Sequence, residues 1–256
     1  MPPLALPRPA VSKALVAAFE RDGYAVLPGA FDAAAIAAIR DWTTELAGWP
    51  ERSGGPWVYH ERSQRDPAQQ LIARIEHFSR FHAGFRELAA ALAEATAALL
   101  GEPVVLFKEK INFKMPGGDG FKPHQDAQAG WGDYADYFVT AMVCIDPATV
   151  ENGCLELVAG HQHRGLYREW TPLSEEDMAD MHFVPHSTAP GDAVFFDSFT
   201  PHRSAPNLTA RMRRLYFATY NRASAGDHFA RYHADKHASY PPDIDRLEGR
   251  EYVFRV

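Results

Sequence analysis

The spacing of hydrophobic residues changes character near Val104. Before it, apolar positions recur at intervals that suit one face of a helix, and after it they alternate with polar positions as they do in strands. Three helices are predicted in the first part, with Ser12 and Asp32 as N-caps of the first two and Gly101 ending the third. Several short strands separated by turn-rich sequences follow.

This order of elements predicts a mainly β fold with flanking helices, arranged as a sandwich or barrel. No repeat or low-complexity linker interrupts the chain, so one domain is expected over residues 1–256. Within it we predict a mainly helical flank (1–103), a β core (104–222) and a C-terminal extension (223–256). The extension is charged and aromatic with little apolar periodicity, which indicates a lid or a docked tail.

The strand that begins at Val104 is the most informative segment, because alternate side chains of a strand point to opposite faces. One face is apolar and is formed by Val105, Phe107, Ile111 and Phe113. The other carries Lys108, Lys110 and Asn112, which would line the concave side of the barrel if the apolar face packs on the helices. The alternative is an edge strand with its lysines in solvent.

Net charge and cysteine content narrow the class of protein. A formal net charge of -7 argues against nucleic acid or an anionic membrane as partner. Two cysteines outside any CxxC pair favour reduced thiols, and no segment approaches the roughly 18 apolar residues of a membrane helix. We therefore expect a soluble, cytoplasmic protein that acts on small molecules.

The stretch "GFKPHQDAQAGW" places His124 and Asp126 one residue apart. On a strand these two side chains share a face and can occupy neighbouring positions around a metal ion. A third ligand, His202, is available in "FFDSFTPHRSAPN". Two histidines and one carboxylate leave three positions open on an octahedral ferrous ion, for a cosubstrate and dioxygen. A second His-x-Asp pair, at His233 and Asp235, lies in the tail without a strand context.

Arg213 follows His202 by eleven positions and begins the strand "RRLYFATYN". A guanidinium directed into a barrel needs an acidic partner, because an unpaired buried charge is costly. The dicarboxylate 2-oxoglutarate satisfies this requirement, with its keto acid on the iron and its far carboxylate paired with Arg213.

These motifs together resemble the phytanoyl-CoA dioxygenase family of iron- and 2-oxoglutarate-dependent oxygenases. The resemblance runs from "FERDGYAVLPGAFD" to "FATYN". It implies a double-stranded β-helix, or jelly-roll, core and a hydroxylation coupled to decarboxylation of 2-oxoglutarate, and from it no requirement for ascorbate can be inferred. It implies Fe(II) ligation by His124, Asp126 and His202, 2-oxoglutarate binding by Arg213, and assistance from Asn112, Ser204 and Thr140.

The substrate has to be inferred from the remaining polar and aromatic residues. Cationic and amide groups are predicted near the metal from Lys108, Lys110, Asn221 and Arg222. They favour an anionic substrate, unless the lysines neutralise Glu109 or face water. Aromatic rings such as Tyr59 and Tyr134 can hold an alkylammonium group, although such rings are more often part of a core.

A narrower resemblance concerns "FKEKINFKMPGGDGFKPHQDAQAGW" and the tail "YNRASAGDHFARYHADKHASYPPDIDRLEGREYVFRV". Both are similar to the bacterial branch of the family that hydroxylates 2-aminoethylphosphonate or its N-trimethyl analogue at C1. Two alternatives remain at this point. One is a hydroxylase of another small metabolite or natural product, and the other is a noncatalytic jelly roll that binds a metal or small molecule.

Overall fold

The structure, a computed structural model, describes residues 6–253. Its helices are α1 (Lys13–Asp22), α2 (Ala33–Ala47), α3 (Ala83–Leu100) and α4 (Phe229–Ser239). Its strands are β1 (Tyr24–Leu27), β2 (Trp57–Arg62), β3 (Gln70–Glu76), β4 (Val104–Lys114), β5 (Phe121–His124), β6 (Phe138–Cys144), β7 (Leu155–Leu157), β8 (Val184–His186), β9 (Ala193–Asp197), β10 (His202–Ser204) and β11 (Arg213–Arg222).

The strands form two antiparallel sheets that pack against each other. The larger sheet has the order β1-β9-β6-β11-β4-β3-β2 and the smaller one β5-β10-β7-β8. Apolar side chains of the larger sheet, such as Phe196 and Leu215, form a buried cluster with Leu155 and Leu157 of the smaller sheet. The prediction of a mainly β fold with flanking helices is confirmed.

The helices begin and end where their sequence signals predict. The Ser12 hydroxyl accepts a hydrogen bond from the Leu15 amide (3.1 Å), and the Asp32 carboxylate accepts one from the Ala35 amide (2.8 Å). Gly101 ends α3 in the left-handed region, at φ 72°. Apolar faces of α1, α2 and α3 share one buried cluster with residues of the larger sheet, so these helices cover its outer face.

Two features of the sheet differ from the sequence prediction. β2 and β3 lie in the segment for which only a helical pattern was recognised, and they extend the larger sheet beyond β4. The pairing of β4 with β11 also shifts by one residue, since Thr219 pairs with Lys108 and Tyr220 with Leu106. This bulge places Phe107 against Trp131, on the same side as Lys108, and the prediction that Phe107 belongs to the opposite face was wrong.

The tail is more ordered than its sequence pattern suggested. It contains α4, whose residue Tyr232 packs on Phe107 of β4 with ring centroids 4.4 Å apart. Lys236 of α4 forms a partly buried ion pair with Glu76 of β3. No helix in residues 6–253 is long and apolar enough to cross a membrane.

Candidate metal centre and substrate cavity

Three side chains with metal-binding atoms meet where the smaller sheet faces the larger one. His124 ends β5, His202 begins β10, and the two residues are direct partners in the antiparallel pairing. Asp126 opens the short helical turn that follows β5. One ligand atom from each of these three residues lies within 4.8 Å of the others, which is the only such group of three among the described residues.

Backbone hydrogen bonds fix the orientation of both imidazoles. Nδ1 of His124 lies 2.7 Å from the Lys122 carbonyl oxygen, and Nδ1 of His202 lies 3.0 Å from that of Thr200. A carbonyl can only accept, so each Nδ1 carries the proton and each Nε2 keeps a free lone pair. This arrangement is common for histidines that bind a metal through Nε2.

The carboxylate of Asp126 is held by a threonine of the larger sheet. The Thr140 hydroxyl donates to Asp126 Oδ2 (3.2 Å), and it lies 2.9 Å from the Thr219 hydroxyl. Because the Thr140 proton goes to Asp126, Thr140 accepts from Thr219. Thr140 therefore contacts a candidate metal ligand, Asp126, whereas its predicted role in binding 2-oxoglutarate stays a prediction.

Electrostatics keep all three groups in the protonation states that bind metal. Burial lowers the pKa of His124 to about 3 and also lowers that of His202. Burial alone would raise the pKa of Asp126, but nearby His202, Lys110 and Lys108 lower it to about 2. Neutral imidazoles and an ionised carboxylate form a donor set that fits a ferrous ion with three open positions.

A small cavity next to these ligands contains three of the residues predicted to bind 2-oxoglutarate. It is lined by Asn112, Ser204 and Arg213 together with the metal-binding side chains. Arg213 donates through Nη2 to the Gly153 carbonyl (2.6 Å), while its buried Nε has no partner among the described residues. Burial lowers the pKa of Arg213 to about 10, so it remains a cation at neutral pH.

A second, larger cavity of about 590 Å³ opens from His124 and Asp126. Four cationic side chains line it, namely Arg74, Lys108, Lys110 and Lys236. Arg74 and Lys236 both pair with Glu76, which compensates part of their charge. Lys108 and Lys110 form no ion pair within the described residues, although the charges of Asp126 and Glu76 raise the pKa of both and offset part of the effect of burial.

The two lysine ammonium groups contact rings rather than carboxylates. Nζ of Lys108 lies 4.3 Å from the centroid of Trp131, and Nζ of Lys110 lies 5.1 Å from that of Phe217. No acceptor among residues 6–253 makes a hydrogen bond or ion pair with either of them. Burial lowers the pKa of both lysines. An anion in the cavity would offset this cost of burying two charges.

The open side of the large cavity carries acidic and aromatic groups. Asp133, Asp235 and Glu251 line it and are exposed. The Tyr134 hydroxyl donates to Asp235 (2.8 Å), and Trp170 lies at the same rim. The cavity thus has buried cations near the metal ligands and exposed carboxylates at its mouth.

The remaining residues predicted to bind substrate do not line either of these cavities. Asn221 shares a strand face with Arg213, but its amide donates to the carbonyls of Arg222 and Gly226 and so fixes the turn after β11. Arg222 forms an ion pair with Glu102 (2.7 Å) at the end of the sheet. The Tyr59 hydroxyl donates to the Tyr240 carbonyl, and the Tyr59 ring stacks on the ring of Tyr240, which lines the large cavity. Of the two tyrosines proposed, only Tyr134 reaches the large cavity.

Sequence analysis also missed residues that the fold brings to the site. Lys114 stands two positions beyond Asn112 on β4, and the alternation of that strand was sufficient to find it. Arg74 and Lys236 gave no such signal, because they meet through Glu76 from segments 160 residues apart in the chain.

Comparison with known proteins agrees with this geometry. The family model for phytanoyl-CoA dioxygenase (PhyH) matches residues 19–215. The chain belongs to the phytanoyl-CoA dioxygenase family. It is 38% identical to a 2-aminoethylphosphonate dioxygenase from uncultured bacterium HF130_AEPn_1, over 90% of this chain and 89% of that protein. It is 37% identical to a methylphosphonate hydroxylase of Gimesia maris, over 91% of this chain and 89% of that protein.

Comparison with solved structures confirms the predicted jelly-roll core. EctD from S. alaskensis with 2-oxoglutarate and 5-hydroxyectoine superposes with a TM-score of 0.71 at 26% identity, covering 84% of this chain and 77% of that one. Membership in the phytanoyl-CoA dioxygenase family, together with these relatives, makes the protein an oxygenase and excludes the noncatalytic jelly roll. His124, Asp126 and His202 form the group of side chains that could hold a metal ion.

Proposed function

We propose that the protein hydroxylates a small aminoalkylphosphonate, 2-aminoethylphosphonate or an N-methylated analogue, at C1. The observation that carries this proposal is the pair of ammonium groups of Lys108 and Lys110, which line the cavity that holds His124 and Asp126 and contact aromatic rings in place of a carboxylate. A phosphonate is a compact anion with three acceptor oxygens, and two lysines can donate to it as point charges.

The carboxylates at the cavity mouth support an amine at the other end of the substrate. Asp133, Asp235 and Glu251 are exposed, whereas Lys108 is 9% exposed, so the sign of the charge changes from the mouth to the interior. A zwitterion with its phosphonate inside and its ammonium outside matches both ends. The names of the two relatives described above, each of which acts on a phosphonate, agree with this substrate class.

The same geometry supports roles for four side chains in binding iron and 2-oxoglutarate, together with Ser204. His124 and His202 would hold Fe(II) through Nε2 and Asp126 through its carboxylate. Arg213 and Ser204 would hold the far carboxylate of 2-oxoglutarate in the small cavity. Iron with 2-oxoglutarate and dioxygen supplies the oxidation, in which 2-oxoglutarate becomes succinate and carbon dioxide while a substrate C–H becomes C–OH.

The protein's own residues then bind and orient the substrate. Lys108 and Lys110 hold the phosphonate beside Asp126, which brings the carbon attached to phosphorus close to the metal. Buried rings such as Trp131 and Tyr232 exclude water from this end of the cavity. We place the reaction in the cytoplasm, in keeping with the unpaired, buried Cys144 and Cys154.

A substrate panel with succinate as readout tests the proposal. The protein with ferrous iron, 2-oxoglutarate and dioxygen should form succinate faster with 2-aminoethylphosphonate or its trimethyl analogue than without added substrate. Methylphosphonate is the matched compound without an amine, and the relative from Gimesia maris makes it the second candidate. Faster succinate formation with methylphosphonate alone would overturn the proposal that the carboxylates at the cavity mouth bind an amine. No increase with any of these compounds would overturn the proposal that the substrate is a phosphonate.

A further inference from the structure

Lys114 lies next to the small cavity, and the proposed function gives this lysine no role. Lys114 is the last residue of β4 and pairs with Arg213, the first residue of β11. It is 2% exposed, and it does not line the small cavity itself. Its ammonium donates to Ser204 Oγ (2.8 Å), to the Ala205 carbonyl (2.6 Å) and to the Gly153 carbonyl (3.4 Å).

The polarity of these hydrogen bonds determines what Ser204 can do. An ammonium group has donors and no acceptor, so Ser204 Oγ must accept from Lys114. The Ser204 hydroxyl proton has no acceptor among the described residues, and Ser204 lines the small cavity. Its proton is therefore available to an anion bound there. A neutral amine at the same place could instead accept that proton and remove it from the cavity.

Lys114 also shares an acceptor with the main cation of the small cavity. The Gly153 carbonyl accepts from Arg213 Nη2 (2.6 Å) as well as from Lys114. A Cβ at Gly153 would lie 1.9 Å from the Ala205 oxygen and 2.9 Å from Lys114 Nζ, so the turn can approach this closely only with glycine. The lysine, the two carbonyls and Ser204 thus form one packed unit around Arg213.

We propose that Lys114 is a positioning residue for 2-oxoglutarate, which presents the Ser204 hydroxyl proton to the far carboxylate and adds a second positive charge behind Arg213. This inference rests on the proposed use of 2-oxoglutarate. It assigns Lys114 no contact with the substrate or the metal.

The charges around Lys114 agree with this role. Burial, followed by the neighbouring Arg213, lowers the pKa of Lys114 to about 7, whereas the carboxylates of Glu61 and Asp119 and the Cys154 thiol raise it. An incoming dicarboxylate would favour the protonated form. Binding of 2-oxoglutarate should therefore weaken as the pH rises above neutrality.

Direct binding of 2-oxoglutarate tests the inference without turnover. Titration calorimetry of the Mn²⁺-loaded protein, in the absence of dioxygen, should give a dissociation constant that is about 10-fold or more higher for Lys114→Met than for wild type. Ser204→Ala should weaken binding to a similar extent. Because part of the effect of Lys114 passes through Ser204, the double variant should be weakened by less than the two single effects combined. Lys114→Arg, which keeps a cation that can only donate, should recover part of the affinity.

The possible outcomes separate this inference from the proposed function. Wild-type protein that binds 2-oxoglutarate, together with Lys114→Met that binds equally well, would overturn the inference and leave the proposed function in place. Wild-type protein that does not bind 2-oxoglutarate would overturn the proposed function itself. If Lys114→Met fails to fold, the pH series decides, since wild-type affinity should fall above neutral pH more steeply than that of Ser204→Ala. Parallel pH profiles would contradict the proposed role.

Discussion

Lys108 gives the sharpest test of phosphonate binding, because it lines only the large cavity, whereas Lys110 lines both cavities. Lys108→Met keeps an unbranched side chain of similar length against Trp131 and removes the ammonium group. The substitution should therefore weaken binding of the substrate and leave binding of 2-oxoglutarate unchanged.

The size of the effect follows from the lost contact. A hydrogen bond to a charged group contributes about 1.5–3 kcal/mol, and each 1.4 kcal/mol corresponds to about a tenfold change in affinity. Lys108→Met should thus raise the KM for 2-aminoethylphosphonate about 10- to 150-fold. The KM for 2-oxoglutarate should stay within about twofold of wild type, as expected for a residue outside the small cavity.

The same substitution should stabilise the protein without ligands. Burial lowers the pKa of Lys108 well below its usual value of 10.5, so the unfolded chain binds more protons at this position than the folded one. The contribution of Lys108 to the free energy of unfolding therefore becomes more favourable as the pH rises. The gain in Tm from Lys108→Met should be largest below the folded pKa of Lys108 and should vanish as the pH approaches 10.5.

Steady-state kinetics with succinate detection and thermal unfolding over a pH series measure both effects. Lys13→Met is the matched control, since Lys13 is exposed on α1 and lines neither cavity. An unchanged KM for the phosphonate in Lys108→Met would refute the assignment of the anion-binding group. A lower Tm for the variant at neutral pH would refute the argument that burial of the Lys108 charge costs stability.

Three further substitutions test other parts of the site. Asp235→Asn should raise the KM for 2-aminoethylphosphonate several-fold, because it removes a negative charge at the mouth, and should leave any turnover of methylphosphonate unchanged. Asp126→Ala should bind less than a tenth of the iron held by wild type, measured by metal analysis after desalting, and iron retained at the wild-type level would move the metal elsewhere. Gly153→Ala should lower the free energy of unfolding by about 2–4 kcal/mol in denaturant unfolding, because Gly153 has a φ of 72° and an added Cβ would lie 1.9 Å from the Ala205 oxygen. Gly132→Ala should change this free energy little, because no atom lies within 4 Å of the added Cβ.

Much of the fold and of the candidate metal site could be predicted because the relevant signals are local. Caps such as Ser12 and Asp32 act within one helical turn, and the alternation of β4 places Lys108 and Lys110 on the concave face. His124 and Asp126 are neighbours in the chain, so only the approach of His202 depended on long-range pairing.

The substrate residues were predicted less well because they depend on where strands end and on contacts between distant segments. Asn221 has the predicted face, yet it lies at the far end of β11, where the turn uses its amide. Arg222 follows it out of the sheet and pairs with Glu102. The acidic mouth depends on the docking of α4, a helix with little apolar periodicity, so its contribution through Asp235 had no signal in the sequence.

Phosphorus NMR of the reaction product tests the central claim most directly. 2-Aminoethylphosphonate and its trimethyl analogue would be incubated separately with the protein, ferrous iron, 2-oxoglutarate and dioxygen. The account predicts a new phosphonate signal, split by a single C1 proton in the proton-coupled spectrum, in an amount equal to the succinate formed. Succinate without a new phosphonate signal, or a product that retains both C1 protons, would contradict hydroxylation at C1.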